Sequence, residues 1–169
     1  TYAKDKKLIY STFDLSTELS LGSELQNIQA APYSGRNVGK TGKAFFVADA
    51  PAGSGALFDV IEVRGGKKSP KFSLNTITTP SDISISTTTP LPPAAQPGAA
   101  PAVDTSIAPM STVWRNNFLW IANTYVPTAG PDAARSTVYW FELKNEHQGY
   151  SLVGDGSASG SLSSPDAST

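Results

Sequence analysis

The 169-residue chain has no cysteine, one histidine and one methionine. Without cysteine there are no disulfides, no thiolate metal sites and no thiol nucleophile, and the redox compartment is left open. A single imidazole cannot make a His-rich zinc site. Any Ser-His-Asp arrangement would have to recruit His147 from the polar stretch Asn145-Glu146-His147-Gln148-Gly149, which reads as an exposed turn. Charge is also scarce, at 16% Asp, Glu, Lys and Arg against a usual level of about 25%. The net charge is −1, and the lysines form two small groups (Lys4, Lys6, Lys7 and Lys67, Lys68, Lys71). No broad positive face for phosphates follows, so nucleic acid is not the expected partner, and each group reads as a solvated turn or an edge-strand gatekeeper. No run approaches the roughly 20 apolar residues of a membrane span. The opening Thr1-Tyr2-Ala3-Lys4, without Met or a signal segment, reads as a processed or truncated end.

What the chain does have is enough apolar content, 39%, to build a core, with Ser, Thr, Ala, Gly and Pro favouring turns and short strands over helices. That balance is common in extracellular and cell-wall proteins. It also has a repeat. Ala44-Phe45-Phe46-Val47-Ala48-Asp49-Ala50, a Pro/Gly/Ser turn and Ala56-Leu57-Phe58-Asp59-Val60-Ile61-Glu62-Val63 are echoed later in the chain. The echo is Phe118-Leu119-Trp120-Ile121-Ala122-Asn123-Thr124, a longer turn and Thr137-Val138-Tyr139-Trp140-Phe141-Glu142-Leu143. Both copies close on apolar-Glu-apolar. Repeated strand pairs that cannot each bury their own faces point to a stacked or radial β architecture.

Around the repeat, residues 8–15 read as a strand and residues 19–31 as one or two helical turns, with Leu21, Leu25 and Ile28 spaced by four and three. Residues 33–43 read as a Gly-rich loop. Residues 72–77 and 83–87 alternate apolar with polar, and with the first hairpin they are expected to complete one four-stranded sheet. Residues 1–89 thus form a first blade-like region and 90–109 a Pro/Ala-rich connector without regular structure. Residues 110–153 form a second blade-like hairpin region that includes a strand over 150–153, and 154–169 a flexible Ser/Gly-rich tail.

Candidate chemistry is thin. The stretch Gly35-Arg36-Asn37-Val38-Gly39-Lys40-Thr41 resembles a phosphate loop but is one residue short and is followed by a strand where a helix is needed. Asp155-Gly156-Ser157-Ala158-Ser159-Gly160 has too few carboxylates for a calcium loop. The pairs Asp49 with Asp59 and Glu142 with Glu146 could serve glycoside hydrolysis only at a defined separation, and they read first as strand-end carboxylates. No metal and no cofactor is expected, and no catalytic residue is assigned. The aromatics Trp114, Trp120, Tyr125, Tyr139 and Trp140 crowd a short span. Successive strand positions point to opposite faces, so Tyr139 and Trp140 cannot both be core. Trp114, Tyr125, Tyr139 and Trp140 are the candidate platform for stacking on sugars or anchoring a partner, with packing between sheets as the alternative use of these rings. Trp120, Phe141 and Phe46 are expected to line surfaces between sheets.

Gln96-Pro97-Gly98, Asp104-Thr105, the run from Val113-Trp114-Arg115-Asn116-Asn117 into the second hairpin, and its closing strand resemble a recurring segment of extracellular microbial β-propeller proteins of unassigned function. The likeness covers residues 92–154. Asn116-Asn117 stands where that family has Asn-Gly, and no sialidase-type Ser-x-Asp-x-Gly-x-Thr-Trp box occurs. The resemblance implies an all-β fold, a partial β-propeller of antiparallel blade-like sheets completed by another chain or a missing segment. It further implies a secreted module with remaining blades, or a second chain from the same precursor, as partner. The expected function is non-catalytic binding of carbohydrate or of a cell-surface partner. The alternative is a fragment of a secreted glycan-active hydrolase or lyase whose site is completed elsewhere.

Overall fold

In the computed structural model, residues 12–19, 25–35, 42–50, 54–65, 69–79, 85–86, 91–93, 111–130, 132–146 and 149–158 are described. They form one short helix, α1 (Leu15–Glu18), and ten strands. The first five are β1 (Gln26–Ala30), β2 (Tyr33–Ser34), β3 (Lys43–Asp49), β4 (Ala56–Arg64) and β5 (Lys71–Thr78). The rest are β6 (Ile85–Ser86), β7 (Ser111–Arg115), β8 (Phe118–Pro127), β9 (Thr137–Glu146) and β10 (Gly149–Ala158). One sheet is the antiparallel series β1-β3-β4-β5. The second runs β10-β9-β8-β7-β2, antiparallel except for the parallel β2–β7 pair, with β6 pairing the far end of β8.

The expected all-β character and antiparallel hairpins are observed. The described residues do not form a propeller: they make two sheets that share one core. Phe45, Val47, Phe58, Val60 and Ile77 of the first sheet meet Trp114, Leu119, Ile121, Phe141 and Leu143 of the second. Phe45 stacks on Trp114 at 4.0 Å between ring centroids and 15° between planes, and Phe58 meets Phe141 edge-on at 5.4 Å. Such inward stripes follow from the two-residue period of each strand. Tyr125 spans the layers, its hydroxyl donating to the Leu57 carbonyl at 2.7 Å and accepting from Asn123 Nδ2 at 3.1 Å. Burial pushes its phenol pKa up.

The chain changes sheets within two residues. Ala31 N–H donates to Phe45 O at 2.9 Å in the first sheet, and Pro32 O accepts from Trp114 N at 2.9 Å in the second. Thr112 Oγ1 adds a bond to Ala30 O at 2.9 Å, so this side of the two layers is tied.

The two repeat copies hold equivalent places. β3–β4 and β8–β9 are the second and third strands of up-and-down four-strand series, and Phe45 and Val47 point inward as Leu119 and Ile121 do. Their closing glutamates are not equivalent. Glu62 lies across from Phe45, which faces the core, whereas Glu142 lies across from Trp120, which faces out. A one-residue difference in register reverses the face of every side chain.

Several local readings are corrected. Leu15 begins a helical turn, not the end of a strand, because Asp14 caps it: its carboxylate accepts from Ser16 N–H at 3.0 Å and from the Ser16 and Thr17 hydroxyls. Of the helical turns expected over 19–31, residues 26–30 form β1 instead, whose backbone pairs with β3, and 20–24 lie outside the described residues. The fourth strand of the first sheet is β1. Residues 85–86 pair instead with Val126 and Pro127 of β8. Of the tail expected over 154–169, residues 154–158 are instead part of β10, which continues to Ala158 against Val138, and 159–169 lie outside the described residues. Residues 91–93 of the connector are irregular, and 94–109, 36–41 of the phosphate-loop-like stretch, and His147 lie outside the described residues.

Candidate functional site

The turn that starts the second sheet sets its geometry. Asn116 and Asn117 both take positive φ, 52° and 73°, the two-residue hairpin turn that fits strand twist and that Asn tolerates better than most residues. The turn fixes the β7–β8 register, Arg115 opposite Phe118 and Val113 opposite Trp120.

From that register the outward side chains fall into rows across β7, β8, β9 and β10. One row is Val113, Trp120, Glu142 and Gly154; the next is Arg115, Phe118, Lys144 and Ser151. On the other side of the Trp120 row, Ala122 stands opposite Trp140. Trp120 and Trp140 are therefore diagonal neighbours, and their rings stack at 5.8 Å and 30°. Trp140 keeps 39% of its surface exposed. Beside the pair runs an open groove of about 580 Å³ lined by Val113, Arg115, Asn116, Phe118, Trp120 and Glu142.

Gly154 leaves room for this arrangement. A Cβ there would lie 3.3 Å from Trp140 Cζ3 and 3.3 Å from Glu142 Oε2. Any side chain would displace the indole or the carboxylate, so the bare backbone of β10 is the floor on which Trp140 rests.

Of the four residues taken as a platform, one lies on this face. Trp114 is 1% exposed and Tyr125 fully buried, so both are corrected to core. They sit at inward positions of β7 and β8, and neither offers a ring face to a ligand. Tyr139 is half-buried on the inward side, packed edge-on to Tyr125 at 6.3 Å and stacked with Phe141. Only Trp140 is outward, so Tyr139 and Trp140 do face opposite ways. Phe141, expected at a surface between sheets, is buried in the shared core. The residues missed are Trp120 as a site residue, Phe118 and Arg115, while Glu142, considered above only as one of a carboxylate pair, lines the groove. Alternation from the inward pair Leu119 and Ile121 was the available signal for Phe118 and Trp120.

The face offers indole surface for stacking, guanidinium and amide donors, and carboxylate and amide acceptors. It does not offer a catalytic carboxylate pair. Asp49 lies across from Phe58 and Asp59 across from Ala48, so the two project to opposite faces. Burial raises the pKa of each, opposed by hydrogen bonds from Asn27 to Asp49 and from Thr76 to Asp59. Glu142 and Glu146 share a face but sit four residues apart on one strand, about 13 Å, beyond the spacing glycoside hydrolysis requires. Asp155 and Gly156 are paired in β10, not looped around a cation. Among the described residues no group of three or more potential ligands is placed to hold a metal ion.

Compared with family models, with curated protein sequences and with solved structures, the chain gives no match. The likeness to extracellular propeller proteins over residues 92–154 therefore rests on those residues alone.

Proposed function

We propose that this chain is a secreted, non-catalytic module that binds carbohydrate on the outward face of its second sheet. The observation that carries the reading is the stacked Trp120–Trp140 pair, left accessible beside a groove whose polar lining is Arg115, Asn116 and Glu142. A sugar presents an apolar C–H face and a rim of hydroxyls. Indole surface suits the first, and a donor-acceptor pair of Arg and Glu suits the second. Trp120→Ala and Trp140→Ala should each weaken glycan binding about tenfold or more, as loss of a central aromatic anchor does, in isothermal titration against a panel of polysaccharides. The bound glycan should be recovered uncleaved. Cleavage products, or affinities untouched by both substitutions, would remove the reading.

The finer architectural proposal is that the two sheets are blades of a partial propeller completed by a second chain from the same precursor or by remaining blades. The equivalence of β3–β4 with β8–β9 as middle strands of four-strand series supports it. Purified from its native source, the chain should sediment with its partner. A monodisperse monomer would remove the partner and leave the binding face.

A further inference from the structure

The row next to Trp120 is built for a different chemistry from the tryptophan pair. Arg115 and Lys144 both stand directly across from Phe118, one on each neighbouring strand, so an outward aromatic ring has a cation on either side, with Cβ atoms about 5 Å away. Neither cation is committed to a strong partner among the described residues. Arg115 is exposed and enters no ion pair there. Lys144 reaches Glu146 at 3.8 Å with both side chains half exposed, a contact that contributes little and exchanges readily. The contrast with the interior is plain, where Lys43 and Arg64 both close on the buried Glu62.

One row along, about 7 Å by strand geometry, the charge has the opposite sign. Trp120 has Glu142 directly across from it on β9 and the apolar Val113 on β7. A ligand lying across both rows meets two cations around one ring and a carboxylate beside the next.

We propose, on the basis of the glycan-binding reading of this face, that the ligand is an acidic glycan in which uronic acid alternates with neutral sugar. The uronate carboxylate lies over the Phe118 row, where the Arg115 guanidinium offers a two-pronged donor and Lys144 a point charge. The neutral neighbour stacks on Trp120 and donates hydroxyls to Glu142. Glu142 sets the alternation: a second carboxylate in its row would meet a like charge in a partly desolvated groove.

Three probes test this by isothermal titration: oligosaccharides alternating uronic acid with N-acetylhexosamine, the same oligosaccharides after carboxyl reduction, and oligogalacturonate, which is acidic at every sugar. The alternating form should bind about tenfold more tightly than its reduced form, the scale of one charge-assisted contact, with the difference fading as salt is raised. Lys144→Gln should narrow the gap between the alternating and reduced forms without moving the affinity of the reduced form, and Arg115→Gln, at a residue that also lines the groove, should weaken the alternating form more than the reduced one. Glu142→Gln should raise the affinity for oligogalacturonate. Equal binding of the acidic and reduced forms overturns the inference and leaves the glycan reading in place. Oligogalacturonate binding best overturns the alternation. Failure of all three overturns the inference, and the glycan reading falls with it only if a neutral polysaccharide panel also fails to bind.

Discussion

Replacing Trp114 by alanine should cost about 3–5 kcal/mol of folding stability, the largest single loss expected in this chain. Its indole is 1% exposed and lies flat on Phe45 of the facing sheet, with centroids 4.0 Å apart. Truncation would remove that contact and open a void between two layers whose backbones are held in place. Trp114 N donates to Pro32 O, and Thr112 Oγ1 donates to Ala30 O, so the tie between sheets keeps the cavity from collapsing. Against a typical total of about 5–15 kcal/mol, the variant would be marginally folded. Trp114→Phe should lose much less, because it fills most of the volume and deletes an indole Nε1 that is buried without a hydrogen-bond partner among the described residues. Trp140→Ala, on the exposed face, should leave thermal stability nearly unchanged. Melting curves for the three variants check this ordering. A Trp114→Ala protein as stable as Trp140→Ala would show that the two sheets do not share the core described.

Removing Glu62 should be the second large loss, about 3 kcal/mol for Glu62→Ala, at the lower end for a broken buried ion pair. The carboxylate is 1% exposed on the inward side of β4. It takes Lys43 Nζ at 2.9 Å and the Arg64 guanidinium, and it reaches the Tyr150 hydroxyl of the opposite sheet at 3.4 Å. The loss stays at the lower end because the stranded cations can turn to water, their side chains being 25% and 54% exposed. Burial alone would raise the Glu62 pKa, but the hydrogen bonds and charges of Arg64 and Lys43 outweigh it, so the folded value is lowered. The sign follows. A carboxyl whose pKa is lower in the folded than in the unfolded chain contributes its full stability above the unfolded value, about 4.3, and loses it as pH falls through the folded value. Native protein should therefore destabilise more steeply below about pH 4 than Glu62→Gln. Asp49 and Asp59, with raised pKa values, push the other way in both proteins, so the difference between the two curves isolates Glu62. Parallel curves would contradict the assignment.

Both hairpins were legible because β3–β4 and β8–β9 are long strands of 7 to 10 residues rich in apolar and aromatic side chains. Their partners were less so. Gln26–Ala30 is exposed along its whole length and is held by backbone pairing to β3, so its side chains carry no strand period to read. The spacing of Leu21, Leu25 and Ile28 points to a helix, but at Ile28 the main-chain pairing of β1 with β3 overrides it. At Asp14 a local cap, a three-residue effect invisible to periodicity, turned an apparent strand end into α1.

The site was half legible for a related reason. Aromatic richness of residues 114–140 is plain in sequence, but assigning rings to faces needs register. Trp114 and Trp120 are both strand tryptophans, and the two-residue turn at Asn116-Asn117 places the first inward and the second outward. Glu62 and Glu142 look equivalent in the repeat, yet one is an interior anchor and the other lines the groove. Only pairing across strands distinguishes them.

The three tryptophans provide the most direct test of glycan binding. Each indole Nε1–H gives its own signal in a 1H–15N correlation spectrum, assignable from the three single Trp→Phe variants. On titration with the bound glycan, the signals of Trp120 and Trp140 should shift together and saturably while that of Trp114, closed in the core, stays in place. Shifts confined to Trp114, or no shift at Trp120 and Trp140 under conditions where glycan is bound, would contradict the account.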